Sequence, residues 1–207
     1  MRCPSGRAGR LAGMAMRIAN REPNRLAIEA LGVQPRDTVL ELGFGPGHGI
    51  KTLASQAHQG CVLGIDISSE MLALAIRLNA NAIRQGKVKL HLGNFVHLPW
   101  PTSTIDKILA VNVAYFFDRD GQHLQEALRV LRPGGLLSLY ATDRETMSKW
   151  KFARPDTHRL FDKSELQSLL TRAGFGEEEL SIKSVSLSFG VNGYVALGRK
   201  TCLSGRA

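Results

Sequence analysis

The sequence predicts an α/β fold built on a parallel β-sheet with helices on both of its faces. Short runs rich in Leu, Ile and Val alternate along the chain with longer segments of helical periodicity. Neither an internal repeat nor a low-complexity linker interrupts this alternation. The length of 207 residues suits one domain. We therefore expect a single sheet with its helices packed against it.

The first half of the chain contains four predicted strands. They are expected at Thr38–Leu42, Cys61–Asp66, Val88–Leu92 and Ile105–Val111. A glycine-rich loop follows the first strand and leads into a helix with Ile50 and Leu53 on its apolar face. Ser68 is the predicted N-cap of the next helix, which contains Met71 and Ala75. This order of strand, loop and helix favours parallel strands.

A helical pattern from about residue 122 to residue 131 should stop at Arg132-Pro133-Gly134-Gly135, because proline and glycine both break helices. A fifth strand is predicted at Leu136–Tyr140. Either Asp162 or Ser164 is expected to cap a later helix, since both side chains can accept a hydrogen bond from the first turn.

The last part of the chain has strand periodicity instead. Residues 180–188 alternate between apolar and polar with one skipped position, which suggests a β-bulge. Gly190 then turns the chain into a second run at Tyr194–Leu197. These two runs are predicted to form a terminal antiparallel hairpin.

The composition excludes several classes of protein. Hydrophobic residues make up 43% of the chain, yet no apolar run reaches the length of about 18 residues that a membrane-spanning helix requires. Cys3, Cys61 and Cys202 are far apart and lack metal-ligand spacing, so neither a disulfide framework nor a metal site is expected. A reducing, cytoplasmic location fits this cysteine usage.

The net charge of +9 is partly concentrated at the N-terminus, where residues 1–25 contain six arginines and one acid. Leu11, Met14 and Ile18 have helical spacing there. We interpret this segment as a basic amphipathic helix that covers the domain. The alternative is a mitochondrial targeting segment, because the stretch is rich in arginine and poor in acids.

These patterns divide the chain into three segments. Residues 1–22 are predicted to form a basic N-terminal helix that acts as a lid, or a targeting segment. Residues 23–200 form the main domain, and residues 201–207 form a short tail.

The most informative segment is the loop after the first strand, where glycine occupies every second position from Gly43 to Gly49. Glycine adopts positive φ and lets a ligand lie against the backbone. The dinucleotide fingerprint G-x-G-x-x-G is absent, because His48 stands where its third glycine is required. Glu41 instead precedes the loop, where a carboxylate suits a ligand's amino group. Asp66 ends the second strand, where a carboxylate can accept both hydroxyls of a ribose.

At these residues the chain resembles the class I S-adenosylmethionine-dependent methyltransferases, specifically the small ubiquinone/menaquinone-biosynthesis-like (methyltransferase type 11) family. The resemblance extends from about residue 24 to residue 198, through V-L-E-L-G-F-G-P-G, G-I-D-I-S, G-N-F-V-H-L-P-W, I-D-K-I-L-A-V-N and L-R-V-L-R-P-G-G-L-L. It implies a Rossmann-like, seven-stranded, mostly parallel sheet with a C-terminal antiparallel hairpin. It also implies an enzyme whose cofactor is S-adenosyl-L-methionine.

The resemblance assigns cofactor-binding residues position by position. Glu41 would approach the methionine amino group, Asp66 would hold the ribose diol and Ile67 would pack on the adenine. Asn94 stands where family members usually have an acid that accepts from the adenine amino group. Asn112 would lie near the transferred methyl group. The remaining implied contacts are the loop glycines and the neighbour of Asn94: Gly43, Gly45, Gly47 and Phe95.

No residue is assigned as catalytic from the sequence. His48, His97 and His158 are candidates for deprotonating an acceptor near neutral pH. Asp106 lies at the start of a strand, at the wrong end of the sheet for chemistry, and is interpreted as structural. Asn112-Val113-Ala114-Tyr115 has the outline of an N-P-P-Y motif but lacks both prolines, so it does not indicate an amine N-methyltransferase.

The methyl acceptor is predicted to be a small molecule or a lipid headgroup, with an anionic membrane surface as a partner of the basic N-terminus. An RNA methyltransferase is the second hypothesis. It is supported by the net charge and by basic and aromatic residues interleaved over residues 144–161. The alternative interpretation of that stretch is a loop that closes over the substrate. A non-catalytic cofactor-binding subunit is the third hypothesis.

Overall fold

The computed structural model describes residues 20–150, 153 and 158–201, which contain one seven-stranded sheet. Its strands are β1 (Thr38–Leu42), β2 (Cys61–Asp66), β3 (Val88–Leu92), β4 (Ile105–Val111), β5 (Leu131–Thr142), β6 (Leu180–Ser186) and β7 (Asn192–Arg199). They are arranged in the order β3-β2-β1-β4-β5-β7-β6. The first five strands are parallel, and β7 is antiparallel to both β5 and β6. The predicted Rossmann-like α/β fold with a terminal antiparallel hairpin is confirmed.

Helices cover both faces of this sheet. They are α1 (Arg21–Leu31), α2 (His48–Gln56), α3 (Ser69–Leu78), α4 (Ala80–Arg84), α5 (Gln122–Val130), α6 (Arg144–Ser148) and α7 (Lys163–Arg172). Short 3₁₀ turns occur at Ala114–Phe116, Glu177–Glu179 and Ser188–Gly190. Within the described residues, no helix is both long and apolar enough to span a membrane.

The sheet separates two apolar layers, and alternate residues of β1 enter them. Val39 packs in the layer of α1, α2 and α3, whereas Leu40 packs in the layer of α5 and α7. Both side chains are fully buried, as expected for a central strand covered on both faces. The layer of α1 to α3 lies beside the glycine-rich loop, so its packing positions the backbone of that loop.

Helix α1 is fastened to the sheet at two points. The Ser138 hydroxyl on β5 donates a hydrogen bond of 2.9 Å to the Ala27 carbonyl. The Lys107 ammonium on β4 donates one of 3.0 Å to the Leu31 carbonyl at the C-terminal end of the helix. The predicted boundary between residues 22 and 23 falls inside α1. Residues 1–19 of the predicted N-terminal helix, and residues 202–207 of the tail, lie outside the described residues.

The predicted junction between α5 and β5 was wrong by several residues. Helix α5 ends at Val130, and β5 begins at Leu131, which pairs with Ile105 of β4. The Pro133-Gly134-Gly135 segment forms an irregularity inside β5, where the register with β4 shifts. Lys200, the residue directly after β7, stabilises this irregularity, because its carbonyl accepts a hydrogen bond of 2.8 Å from the Gly134 N–H. A tertiary contact therefore extends the strand across residues that break regular structure locally.

The predicted bulge in the terminal hairpin was also wrong, because β6 and β7 pair in continuous register from Leu180↔Gly198 to Ser186↔Asn192. The skipped position marks a change of face. Leu180 and Ile182 pack against the layer of α5 and α7, whereas Val185 packs against the opposite layer.

Asp162 caps α7 with a full capping box. Its carboxylate accepts from the Glu165 N–H at 2.9 Å, and the Glu165 carboxylate accepts from the Asp162 N–H at 2.9 Å. Ser164, the alternative cap, donates to the Asp162 carboxylate instead. We expect Asp162→Ala to lower the free energy of unfolding by about 1 kcal/mol, the usual cost of losing a side-chain cap. Urea denaturation of this variant and of Ser164→Ala measures it, and an equal or larger loss in Ser164→Ala would contradict the assignment.

Candidate functional site

A cavity of about 990 Å³ opens at the carboxyl ends of β1, β2 and β4. The strand order reverses between β1 and β4, and ligands of open parallel sheets bind in the crevice at such a switch point. The wall of the cavity comes from the loop after β1, from one face each of α1 and α2, and from the segments after β2, β3 and β4. The sheet therefore brings together residues that are far apart in the sequence.

Almost all the residues assigned from the sequence line this one cavity. They are Glu41, Gly43, Gly45, Asp66, Ile67, Asn94, Phe95 and Asn112. Gly47 does not line the cavity. A Cβ atom at Gly47 would lie 2.7 Å from the Ala75 side chain and 2.8 Å from Nδ2 of Asn79, so this glycine allows α3 to pack against the loop.

Glu41 is a buried acid in the cavity wall with an unsatisfied carboxylate oxygen. Its side chain is 3% exposed, and Oε2 has no hydrogen-bond partner. Burial, followed by repulsion from Asp66, raises the pKa of this carboxyl to about 8. The Ile50 N–H in the first turn of α2 acts in the opposite direction. A buried acceptor without a partner costs free energy, so Glu41 is suited to a cationic ligand group that enters the cavity.

Gly49 makes room for the Glu41 carboxylate. A Cβ atom at position 49 would overlap the carboxylate oxygen Oε1. The absence of a side chain therefore lets the acid lie directly against the start of α2, where free N–H groups and the positive end of the helix dipole face it. The sequence shows this glycine as the last member of the repeat, and the structure gives its physical reason.

Asp66, the second acid of the cavity, holds the glycine-rich loop through hydrogen bonds to backbone N–H groups. Its Oδ2 accepts from the Gly45 N–H at 2.8 Å, and its Oδ1 accepts from the Ser68 N–H at 2.9 Å. Burial raises the pKa of Asp66, and these backbone donors oppose the rise. Ile67 follows with 69% of its side chain exposed at the cavity wall, which leaves an apolar surface open to a flat ligand group.

Asn112 lies at the end of β4 in a left-handed conformation with φ of 53°. Its Oδ1 accepts from the Tyr115 hydroxyl at 2.7 Å and from the Thr142 hydroxyl at 3.3 Å. Its Nδ2 donates to Asn20 at 2.7 Å. The Tyr115 hydroxyl in turn accepts from the Thr142 N–H at 2.6 Å. This network joins β4, β5 and the start of α1, and holds the Asn112 amide at the cavity wall.

The histidine candidates are distributed unevenly. His48 lines the cavity, whereas His97 is exposed outside its lining. His158 packs against Phe116, which does line the cavity, with 5.1 Å between ring centroids. Asp106 is structural, as predicted, because its carboxylate accepts from the Thr38 N–H at 2.8 Å and pairs with Arg132.

His123 is a cavity residue that sequence reasoning missed. Its ring stacks on Phe117 with 5.6 Å between ring centroids and bonds to the Asp118 carboxylate. The face of α1 was missed as well, because no helix had been predicted immediately before β1. Asn24 on that face has a buried Oδ1 without a hydrogen-bond partner. No cluster of metal-ligating side chains occurs among residues 20–150, 153 and 158–201.

Comparison with known proteins supports the resemblance to methyltransferases. The methyltransferase-domain family matches residues 40–139. The uncharacterized methyltransferase YdaC of Bacillus subtilis is 28% identical over 175 residues, which are 84% of this chain and 91% of that protein. A probable S-adenosylmethionine-dependent methyltransferase of Mycolicibacterium smegmatis is 31% identical over 143 residues. Those residues are 68% of this chain but only 52% of the mycobacterial protein.

A solved structure supports the fold independently of sequence. The complex between the Haloferax volcanii Trm112 methyltransferase activator and a putative methyltransferase contains a chain that superimposes with a TM-score of 0.77. The superposition covers 92% of this chain and 94% of that one at 18% identity. With the switch-point cavity, the acid-flanked glycine loop and the family match in agreement, the chain belongs to the class I S-adenosylmethionine-dependent methyltransferases.

Proposed function

We propose that this methyltransferase acts on a small molecule or a lipid-like acceptor, with the cofactor bound along the loop after β1. One observation supports the placement above others: the buried Glu41 carboxylate lacks a partner within a cavity that also contains Asp66. A ligand with an ammonium group at one end and a ribose diol at the other matches these two acids. The residues present therefore fit S-adenosylmethionine.

In this proposal each wall residue has one role. Glu41 accepts from the methionine ammonium, and Asp66 accepts from the ribose hydroxyls. Ile67 and Phe95 supply apolar surface for the adenine. Asn94 would accept from the adenine amino group, although its Oδ1 already accepts from the Val96 N–H at 3.2 Å and so offers one remaining lone pair. When bound, the cofactor supplies a methyl group activated by the positive sulfonium.

The protein's own contribution to such a reaction is mainly positioning. The network around Asn112 fixes the wall at the end of β4, and burial raises the pKa of Tyr115, which keeps its hydroxyl protonated as a donor. Holding two reactants in a productive arrangement can contribute as much as about 7–11 kcal/mol. A dedicated general base is therefore not required, and none of the cavity histidines is assigned that role.

The acceptor class rests on the shape of the site and on relatives. A concave cavity of about 990 Å³ is of the size that encloses small molecules. A relative from Coxiella burnetii, 28% identical over 142 residues, is named malonyl-[acyl-carrier protein] O-methyltransferase. The RNA hypothesis is less favoured, because Phe161 is fully buried and Trp150 packs against the core. Phe161 is therefore withdrawn from base stacking, and Trp150 is half-buried against the core.

Calorimetry tests the proposed cofactor site. We expect S-adenosylmethionine and S-adenosylhomocysteine to bind, and NAD not to bind, because the loop lacks the dinucleotide fingerprint. Asp66→Ala should weaken cofactor binding by about 1.5–3 kcal/mol, the range for hydrogen bonds to a charged group. Asp120→Ala, which removes an exposed acid outside the cavity, is the control. Tight NAD binding, or an unchanged dissociation constant in Asp66→Ala, would overturn the assignment.

A further inference from the structure

Beyond the glycine-rich loop, part of the cavity is lined by α1 and α2. Its walls are formed by one face of each helix, with lining residues three or four positions apart. We call this the α1–α2 groove, and it is lined by Arg21, Asn24, Arg25, Ile28, Glu29, His48, Lys51, Thr52 and Gln56.

The groove is long enough for a molecule beside the cofactor. Gln56 is eight residues after His48 on α2, so the lining extends about 12 Å along that helix. This direction leads away from the residues proposed to hold the ribose and the adenine. Ile28 and Phe44 add apolar side chains to the cavity wall. An elongated acceptor with an apolar part fits this shape.

The groove also has an unbalanced positive charge. The Arg25 guanidinium bonds to both carboxylate oxygens of Glu29 at 2.9 Å, so these two charges compensate each other. Arg21 and Lys51 have no ion pair with any described residue. The neighbouring Glu22 attracts Arg21 only at longer range, and its carboxylate accepts hydrogen bonds from Ser188. Two cations of one cavity therefore lack an ion-pair partner in the described part of the chain.

We propose that the α1–α2 groove binds an anionic group of the methyl acceptor, a phosphate or carboxylate attached to an apolar chain, through Arg21 and Lys51. The inference rests on the proposed function, in which the cofactor occupies the loop end of the cavity. Guanidinium and ammonium groups both form charge-assisted hydrogen bonds with such anions. The carboxylate of the cofactor's own methionine is the competing source of the same chemistry.

Calorimetry with octyl phosphate, in the presence of saturating S-adenosylhomocysteine, separates the two sources. Because the homocysteine carboxylate then occupies its own site, only a second anion site can bind the probe. We expect octyl phosphate to bind, inorganic phosphate to bind more weakly, and octylamine not to bind. The double variant Arg21→Gln/Lys51→Gln should weaken octyl phosphate binding at least about tenfold, or about 1.4 kcal/mol, because both charged donors to the anion are removed. The double variant Arg77→Gln/Lys183→Gln controls for net charge, because it removes two exposed cations that lie outside the cavity.

The outcomes are distinguishable from failure of the proposed function. Binding of octyl phosphate only when S-adenosylhomocysteine is absent would assign the two cations to the cofactor carboxylate and overturn the inference. Equal affinity in Arg21→Gln/Lys51→Gln and in Arg77→Gln/Lys183→Gln would also overturn it. Absence of S-adenosylhomocysteine binding to the unmodified protein would contradict the cofactor site itself, whatever octyl phosphate does.

Discussion

Replacing Glu41 with glutamine is expected to separate cofactor affinity from protein stability. The variant keeps the shape of the side chain but removes the charge that compensates the ligand ammonium. We expect S-adenosylmethionine affinity to fall by about 10- to 150-fold, which corresponds to about 1.5–3 kcal/mol for hydrogen bonds to a charged group. Calorimetry above pH 8, where the unmodified carboxyl is ionised, gives the largest difference.

The same variant is expected to be more stable than the unmodified protein at alkaline pH. The pKa of Glu41 is raised from about 4.5 in the unfolded chain to about 8 in the folded protein, first by burial and then by Asp66. The folded protein therefore binds this proton more tightly, and its stability decreases as pH rises from about 4.5 to about 8. Between pH 6 and pH 7 the free energy of unfolding should fall by about 1.4 kcal/mol per pH unit, and the fall should diminish as the pH approaches 8. Glu41→Gln should remove this slope.

Urea denaturation at pH 6 and pH 9, without cofactor, measures the effect. The exposed Glu178→Gln is the matched control, because it removes one acid that is outside the cavity. Cofactor binding should also release a proton at pH 7, since the ligand ammonium favours the ionised carboxylate. An unchanged pH slope in Glu41→Gln would show that this carboxyl does not titrate in the folded protein.

The strands could be predicted because their signals are local. Each of β1 to β4 is a short apolar run bounded by residues that favour turns, and their bounds agree with the structure. The start of β5 was not predictable in this way. Leu131 is extended because it pairs with Ile105, and the chain near Lys200 holds the glycines that follow. Neither partner is close in sequence.

The cavity wall was predictable where residue type and strand position agree. Glu41 and Asp66 stand at the ends of neighbouring parallel strands, so sheet topology alone brings them together. His123 has no such signal, because polar residues lie near it at the start of its helix and its ring is placed by tertiary contacts with Phe95 and Phe117. The lining face of α1 also depends on tertiary packing, through Ser138 and Lys107.

The alternating glycines are alike in sequence but differ in their surroundings. Gly45 has φ of +52°, and a Cβ atom there would meet no heavy atom within 4 Å, so the added methyl group would enter the cavity. Gly47 has φ of +86°, and a Cβ atom there would meet Ala75 and Asn79 at under 3 Å. The first glycine leaves room for a ligand, and the second leaves room for α3.

An alanine substitution should therefore mainly lower cofactor affinity at Gly45 and mainly lower stability at Gly47. Gly45→Ala should lower the free energy of unfolding by only about 1–2 kcal/mol, the cost of a left-handed alanine, while cofactor affinity falls at least tenfold, or about 1.4 kcal/mol. Gly47→Ala adds an overpacking cost of about 1–3 kcal/mol to the same strain, giving a total loss of about 2–5 kcal/mol. Its folded fraction should bind the cofactor with nearly unchanged affinity.

Urea denaturation and calorimetry with S-adenosylhomocysteine distinguish the two effects. Gly86→Ala is the control for backbone strain, because Gly86 has φ of +71°, no neighbour within 4 Å of an added Cβ atom and no place in the cavity lining. It should match Gly45→Ala in stability and the unmodified protein in affinity. If Gly47→Ala instead retained full stability and lost affinity, Gly47 would contact the cofactor, as the resemblance to the family implies, and the packing role derived from Ala75 and Asn79 would be wrong.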